Sequence, residues 1–159
     1  MAIDCSTCGE GHLVERRVPQ LDLSDALGLP VVFVDAPALV CGHCGAQTAD
    51  GSVIDAAAKL LVHHLVEHGD KLEPGEVRFL RSFLGMTQTE LATRLGVQAR
   101  LTVGRWEGEG GGIDGANALA LRLLAAAQLG DAALALSLGA KGRKLHKTAK
   151  PYPKRLRAA

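Results

Sequence analysis

Thr87-Gln88-Thr89-Glu90-Leu91-Ala92-Thr93-Arg94-Leu95-Gly96-Val97, continued four residues later by Thr102-Val103-Gly104-Arg105-Trp106-Glu107, is the stretch that decides the fold. Thr87 with Glu90 spells a capping box: the hydroxyl accepts the Glu90 amide and the glutamate reaches back. Leu91, Ala92 and Leu95 then carry a helix to Gly96, which stands where a helix-ending left-handed residue is needed. The small side chain of Ala92 lets a following helix cross closely, and Val97 and Val103 fill the joint. That following helix spans about Leu101 to Glu107 and ends in the glycines of 108–112. Two helices joined this way form a helix–turn–helix, whose second helix can enter a DNA major groove by its N-terminal half. Trp106 reads as a core residue, and Glu107 as the end of the helix and a partner for an arginine.

Outward from this pair, residues 72–139 read as helical throughout. Val77, Leu80 and Leu84 recur at helical spacing from Glu76, behind Pro74-Gly75. A fourth helix opens at Asp114 or Gly115 and runs to Gly130, and Asp131 caps a fifth over Ala132 to Leu138. Ahead of this five-helix domain, residues 51–71 form a linker carrying one helix, Val53 to Glu67. Within it, His64-Leu65-Val66-Glu67-His68 matches the spelling of an inverted metalloprotease motif. It falls in a last turn and is followed by no third ligand, and histidines there also complement the helix dipole. No catalytic constellation is assigned.

Residues 1–50 hold all four cysteines, as Cys5-Ser-Thr-Cys8 and Cys41-Gly-His-Cys44. A single such pair suits a disulfide or a redox site equally well. Two pairs describe a zinc ion held by four thiolates from two tight turns, with glycines beside each turn. Four protein ligands leave no open position, so the zinc is expected to be structural, one ion per chain. His12 and His43 are then surplus. The 32 residues between Cys8 and Cys41 must hold structure of their own. Leu13–Val18, Val31–Val34 and Pro37–Val40 read as strands, with one helical turn near Ser24 ended by Gly28. The segment is too small to bury a sufficient core unaided, so the metal contributes folding free energy directly.

Composition narrows the class further. Apolar residues are 47% and aromatics 3%, so alanine, leucine and valine fill the interior. No signal peptide and no membrane span of about 20 apolar residues is spelled. Together with metal-type cysteines this points to the reducing cytoplasm and no membrane partner. The net charge of +1 conceals an asymmetry. Eight of the 18 basic residues lie from Lys141 onward and none of the 17 acids does, which leaves 10 basic against 17 acidic residues elsewhere. An acidic body with a basic tail, residues 140–159, is expected of a chain that touches a polyanion, and the tail itself reads as disordered.

The motif Met86-Thr87-Gln88-Thr89-Glu90-Leu91-Ala92 with Arg105-Trp106-Glu107 resembles the XRE class of helix–turn–helix domains. Its combination with an N-terminal four-cysteine ribbon resembles the MqsA-like antitoxins, whose zinc domain is of the YgiT type; the resemblance covers residues 5 to about 130. It implies that Gln88 contacts phosphate or a base edge and that Arg105 reads a guanine edge or a phosphate. Where the antitoxins place an asparagine four residues before that arginine, this chain has Leu101, suited to a thymine methyl. Arg100 or Thr102 is left to take the polar contacts. The interval from Gly96 to Arg105 is one residue longer than is common in the class.

The expectation is therefore an α+β chain of two domains, a small zinc-ribbon-like β domain at 1–50 and an all-α XRE-type domain at 72–139. The metal ligands would be Cys5, Cys8, Cys41 and Cys44, and the DNA contacts Gln88, Arg100, Leu101, Thr102 and Arg105. The expected function is a sequence-specific repressor, homodimeric on a palindromic double-stranded operator. The resemblance adds an antitoxin role, with the zinc domain binding a toxin. A zinc-stabilised interaction module, or a regulator without a toxin, is the alternative. Arg105 in an ion pair with Glu107 or Glu109, and Gln88 as an ordinary first-turn residue, would fit that alternative.

Overall fold

A hairpin of two eleven-residue strands organises the N-terminal half: β2 (His12–Asp22) and β3 (Val31–Cys41). The computed structural model describes residues 3–68, 71–97, 100–141 and 154–157. Its layout is α+β, a small sheet followed by helices, and it divides into two compact units, 1–58 with 151–159, and 59–150. The division falls within α2 (Gly51–Glu67).

In the first unit, β1 (Ile3–Asp4) and β4 (Gln47–Thr48) flank the hairpin, giving the antiparallel order β1-β2-β3-β4. A fifth strand, β5 (Lys154–Arg157), runs parallel to β3 in the register Val31↔Lys154 to Val34↔Arg157. These four residues belong to the basic tail, for which the sequence alone suggests no order. The rest of that tail beyond Lys141 lies outside the described residues.

The sequence reads β3 as two short strands because Asp35 and Pro37 interrupt its apolar run. The structure joins them. Register is continuous along the hairpin, with Val18↔Ala36 and Gln20↔Val34 paired, and the pair missing from the ladder is Pro19 with Asp35. Proline has no N–H to give a ladder. Opposite it Asp35 takes a left-handed backbone, φ 54°, costly for a residue with a Cβ. Arg17 compensates: its guanidinium donates to the Asp35 carbonyl at 2.8 Å and to the carboxylate at 3.3 Å. Around this point the inward-facing set changes phase, from Leu21 with Phe33 to Val18 with Ala36, all four buried.

One helical turn, α1 (Ser24–Leu27), closes the hairpin. The Asp22 carboxylate accepts the Ser24 N–H at 2.8 Å, and Gly28 ends the turn at φ 66°. Leu23, Leu27, Leu29, Val31 and Phe33 are buried in this end of the unit.

The second unit contains α3 (Pro74–Phe83), α4 (Gln88–Leu95), α5 (Arg100–Trp106), α6 (Gly115–Leu129) and α7 (Ala132–Lys141). These are the five helices anticipated from spacing, displaced by two or three residues at some ends. α4, α6 and α7 begin where side chains satisfy their free N–H groups. Thr87 accepts the Glu90 N–H at 3.2 Å while Glu90 accepts the Thr87 N–H at 2.7 Å. Asp114 accepts from Ala116 and Asn117, and Asp131 from Leu134 at 2.8 Å. Leu61, Val62, Leu65 and Val66 of α2 are buried, as are Val77 and Leu80 of α3, Leu91 of α4, Val103 of α5 and Leu121 of α6. Each fully buried aliphatic side chain contributes about 1.5–3 kcal/mol. α5 packs closely on α4, and α4 packs in turn on α6, which holds the α4–α5 pair in place.

Candidate functional site

The turn after β1 carries Cys5 and Cys8, while Cys41 ends β3 and Cys44 lies in the turn that follows it. Antiparallel pairing of β2 with β3 brings these turns to one end of the hairpin, with Leu13 opposite Cys41. The four Sγ atoms lie within 4.8 Å of one another and can hold one metal ion. Cys5 and Cys44 sulfurs are 3.8 Å apart, Cys8 and Cys41 sulfurs 3.7 Å. A tetrahedron with metal–sulfur bonds of about 2.3 Å has edges of about 3.8 Å, so both spacings match zinc. A disulfide needs about 2.05 Å, and all four cysteines are free.

Backbone geometry builds the cage. Gly9 donates to the Cys5 carbonyl at 2.8 Å and Gly45 to the Cys41 carbonyl at 3.1 Å. Both glycines have positive φ, 70° and 73°, at the turns that aim the thiols inward. The amides of His43 and Cys44 point at the Cys41 sulfur, at 3.4 and 3.5 Å. At Gly11 a Cβ would come within 2.5 Å of the Cys41 sulfur and 2.7 Å of the His43 Cβ, so a larger residue would press into the cage.

The thiols ionise unequally. Backbone groups of Glu10 and Gly11, with His43, lower Cys8 to about 5. The Cys8 backbone, ahead of that of Thr7, lowers Cys5. At Cys44 the Ala46 backbone pulls downward, but desolvation and the other three sulfurs outweigh it and push the thiol up to about 11. One thiolate forms readily and the last resists, because negative charge accumulates in one place. A dication at the centre removes that repulsion. His12 pairs with Asp4 at 2.9 Å and His43 lies 3.5 Å from Glu10, both exposed beside the cage.

The second cluster of interest is the α4–α5 pair. Buried Val103 and Trp106 face inward, while Arg100, Leu101 and Arg105 are exposed along one face of α5. Thr102 is half-buried, and Leu101 is 66% exposed. Glu107, just past the helix, is 5% exposed and anchors the pair. Its carboxylate accepts from Arg81 through Nε at 2.6 Å and a terminal nitrogen at 3.1 Å, and from Gln88 Nε2 at 3.0 Å. Arg81 also donates to the Met86 carbonyl at 2.7 Å, and Arg78 to the Glu107 carbonyl at 3.1 Å. Among the described residues Arg105 forms no ion pair; the arginines that pair with Glu107 are Arg81 at 2.6 Å and, more loosely at 4.0 Å, Arg78, both of α3. In the loop that follows, a Cβ at Gly111 would overlap the Arg105 carbonyl.

Gln88 therefore stands at the junction of α3, α4 and the end of α5. Gly104 packs beside it, its Cβ position 3.8 Å from the Gln88 amide. The cysteines and the Arg100, Leu101, Arg105 face belong to separate units. At the end of α2 the His64 and His68 rings stack at 4.1 Å, but among the described residues the metal-holding group is the four cysteines. No described helix is long and apolar enough to cross a membrane.

Comparison of the chain with protein-family models, with curated proteins and with solved structures finds no match. The reading of its function therefore stands on the two clusters themselves.

Proposed function

We propose that this chain is a zinc-stabilised, sequence-specific DNA-binding repressor whose reading element is α5. The observation that carries the proposal is the exposed Arg100, Leu101, Arg105 face of a short helix anchored from behind by Trp106 and the Glu107–Arg81 pair. A groove-reading helix needs such an arrangement: polar and apolar groups outward, and a rigid seat that orders them before binding. Arg105 supplies a planar fork for a guanine edge or a phosphate, Arg100 and Thr102 supply polar contacts, and Leu101 meets a thymine methyl. The Gln88 amide, already donating one N–H to Glu107, retains a second N–H and its oxygen for a phosphate or base edge.

A zinc ion in the four-cysteine cage has a structural role in this reading. The resemblance of its sequence motifs to those of the MqsA-like antitoxins would extend it to a cytoplasmic homodimer on a palindromic operator, repressing its own operon and binding a toxin through the zinc domain. The test is a mobility-shift assay on the DNA upstream of the gene over a range of salt. Arg105→Ala is expected to lose specific binding while keeping its circular dichroism spectrum, since each bidentate arginine–guanine pair discriminates by about 1–3 kcal/mol. A mutant that footprints the operator like the wild type would remove α5 from the reading role.

The exposure of Leu101 favours a second reading, a protein-interaction surface on the same face. In that case the wild type shifts no upstream DNA, and Leu101→Ser abolishes capture of a co-purifying protein partner.

A further inference from the structure

We infer that metal occupancy at the four-cysteine site governs whether the basic C-terminal segment is held as β5. The inference rests on the reading of that site as a zinc centre. Among the described residues β5 pairs only with β3, through Val31–Val34. Its sequence, Lys154-Arg155-Leu156-Arg157, has three cations and one apolar residue, so little apolar surface is available to hold it beyond its backbone pairing. A four-residue strand of this kind has little order of its own and keeps its place only while β3 offers a fixed edge.

β3 in turn is fixed from its other end. Cys41 is both its last residue and a member of the cage, and the partner strand β2 begins one residue after Gly11, which lies against the Cys41 sulfur. Among the described residues the two strands bury Val18, Leu21, Val31, Phe33, Ala36, Ala38 and Cys41, and the turn between them buries Leu23, Leu27 and Leu29. A core of that size needs a staple, and a metal that binds only the folded form supplies one. Metal loss therefore loosens β3 along its length and withdraws the edge that β5 requires. The segment then freed lies in the part of the chain that carries eight cations and no acid. The cage thereby controls a basic segment at the opposite end of the sequence.

The experiment is hydrogen exchange of the full-length zinc-loaded chain, followed by mass spectrometry with and without chelator. Zinc content is measured on the same samples. With one zinc bound, peptides covering 31–34 and 154–157 should be protected. After chelation both should exchange about tenfold faster or more, while residues 115–129 keep their protection. A Leu156→Pro variant, which removes one strand N–H without changing charge, should retain its zinc yet expose 154–157. Loss of zinc with unchanged protection at 154–157 would overturn the inference and leave the metal site standing, as would a Leu156→Pro variant that stays protected. A chain that purifies with no zinc and takes none up would overturn both.

Discussion

Glu107 is the residue on which the helical unit turns. Its carboxylate is almost fully enclosed, and Arg81 meets both of its oxygens. Breaking a buried ion pair from one side leaves an uncompensated charge, at a cost of about 3–5 kcal/mol. Arg81→Met should lower the unfolding free energy of the helical unit by that amount in urea titrations. Replacing Arg78, whose side chain is 63% exposed, should cost far less. The sequence announced that Glu107 wants an arginine but not which one, because a separation of 26 positions carries no periodic signal. The cysteines were legible for the opposite reason, since metal-ligand spacing is set within each turn. Asp35 was illegible: nothing in the residue type marks a left-handed backbone, which follows from the proline across the ladder and the Arg17 guanidinium beside it.

The helices were readable from their ends. Thr87 with Glu90, Asp114, Asp131, Gly96 and Gly130 punctuate α4, α6 and α7 where capping chemistry requires them. The strands were less so, because Pro19, Asp35 and Pro37 obscure the alternation that pairing restores. Helix caps also make the stability of this unit sensitive to acid. The Asn117 side chain, then its N–H, holds the Asp114 carboxyl below its ordinary value, and Thr87 does the same for Glu90. Both folded-state values lie below the unfolded ones. The stabilisation is therefore complete above the ordinary carboxylate range, near pH 4, and is lost as pH falls through the folded values. Urea midpoints measured by circular dichroism should drop across that range. Asp114→Asn, which keeps a capping oxygen without the charge, should flatten the dependence.

For the molecule as a whole, the two units should respond differently to loss of metal. No cysteine lies beyond Cys44, so chelation should unfold the sheet and leave the helical signal at 222 nm largely intact. Collapse of the entire spectrum would show that the units fold as one. The composition of the tail hid its strand, since three cations in four residues suggest solvent rather than a sheet. That strand also bears on how the protein is made. β3 is synthesised early, but its partner along Val31–Val34 comes from residues 154–157. Until the ribosome has added those residues, the nascent sheet has an open edge at Val31–Val34, the kind of surface that recruits neighbouring chains. The sheet unit is thus completed only after the helices between β3 and β5 have been made, and a ribosome stalled between the two strands would leave that edge uncovered.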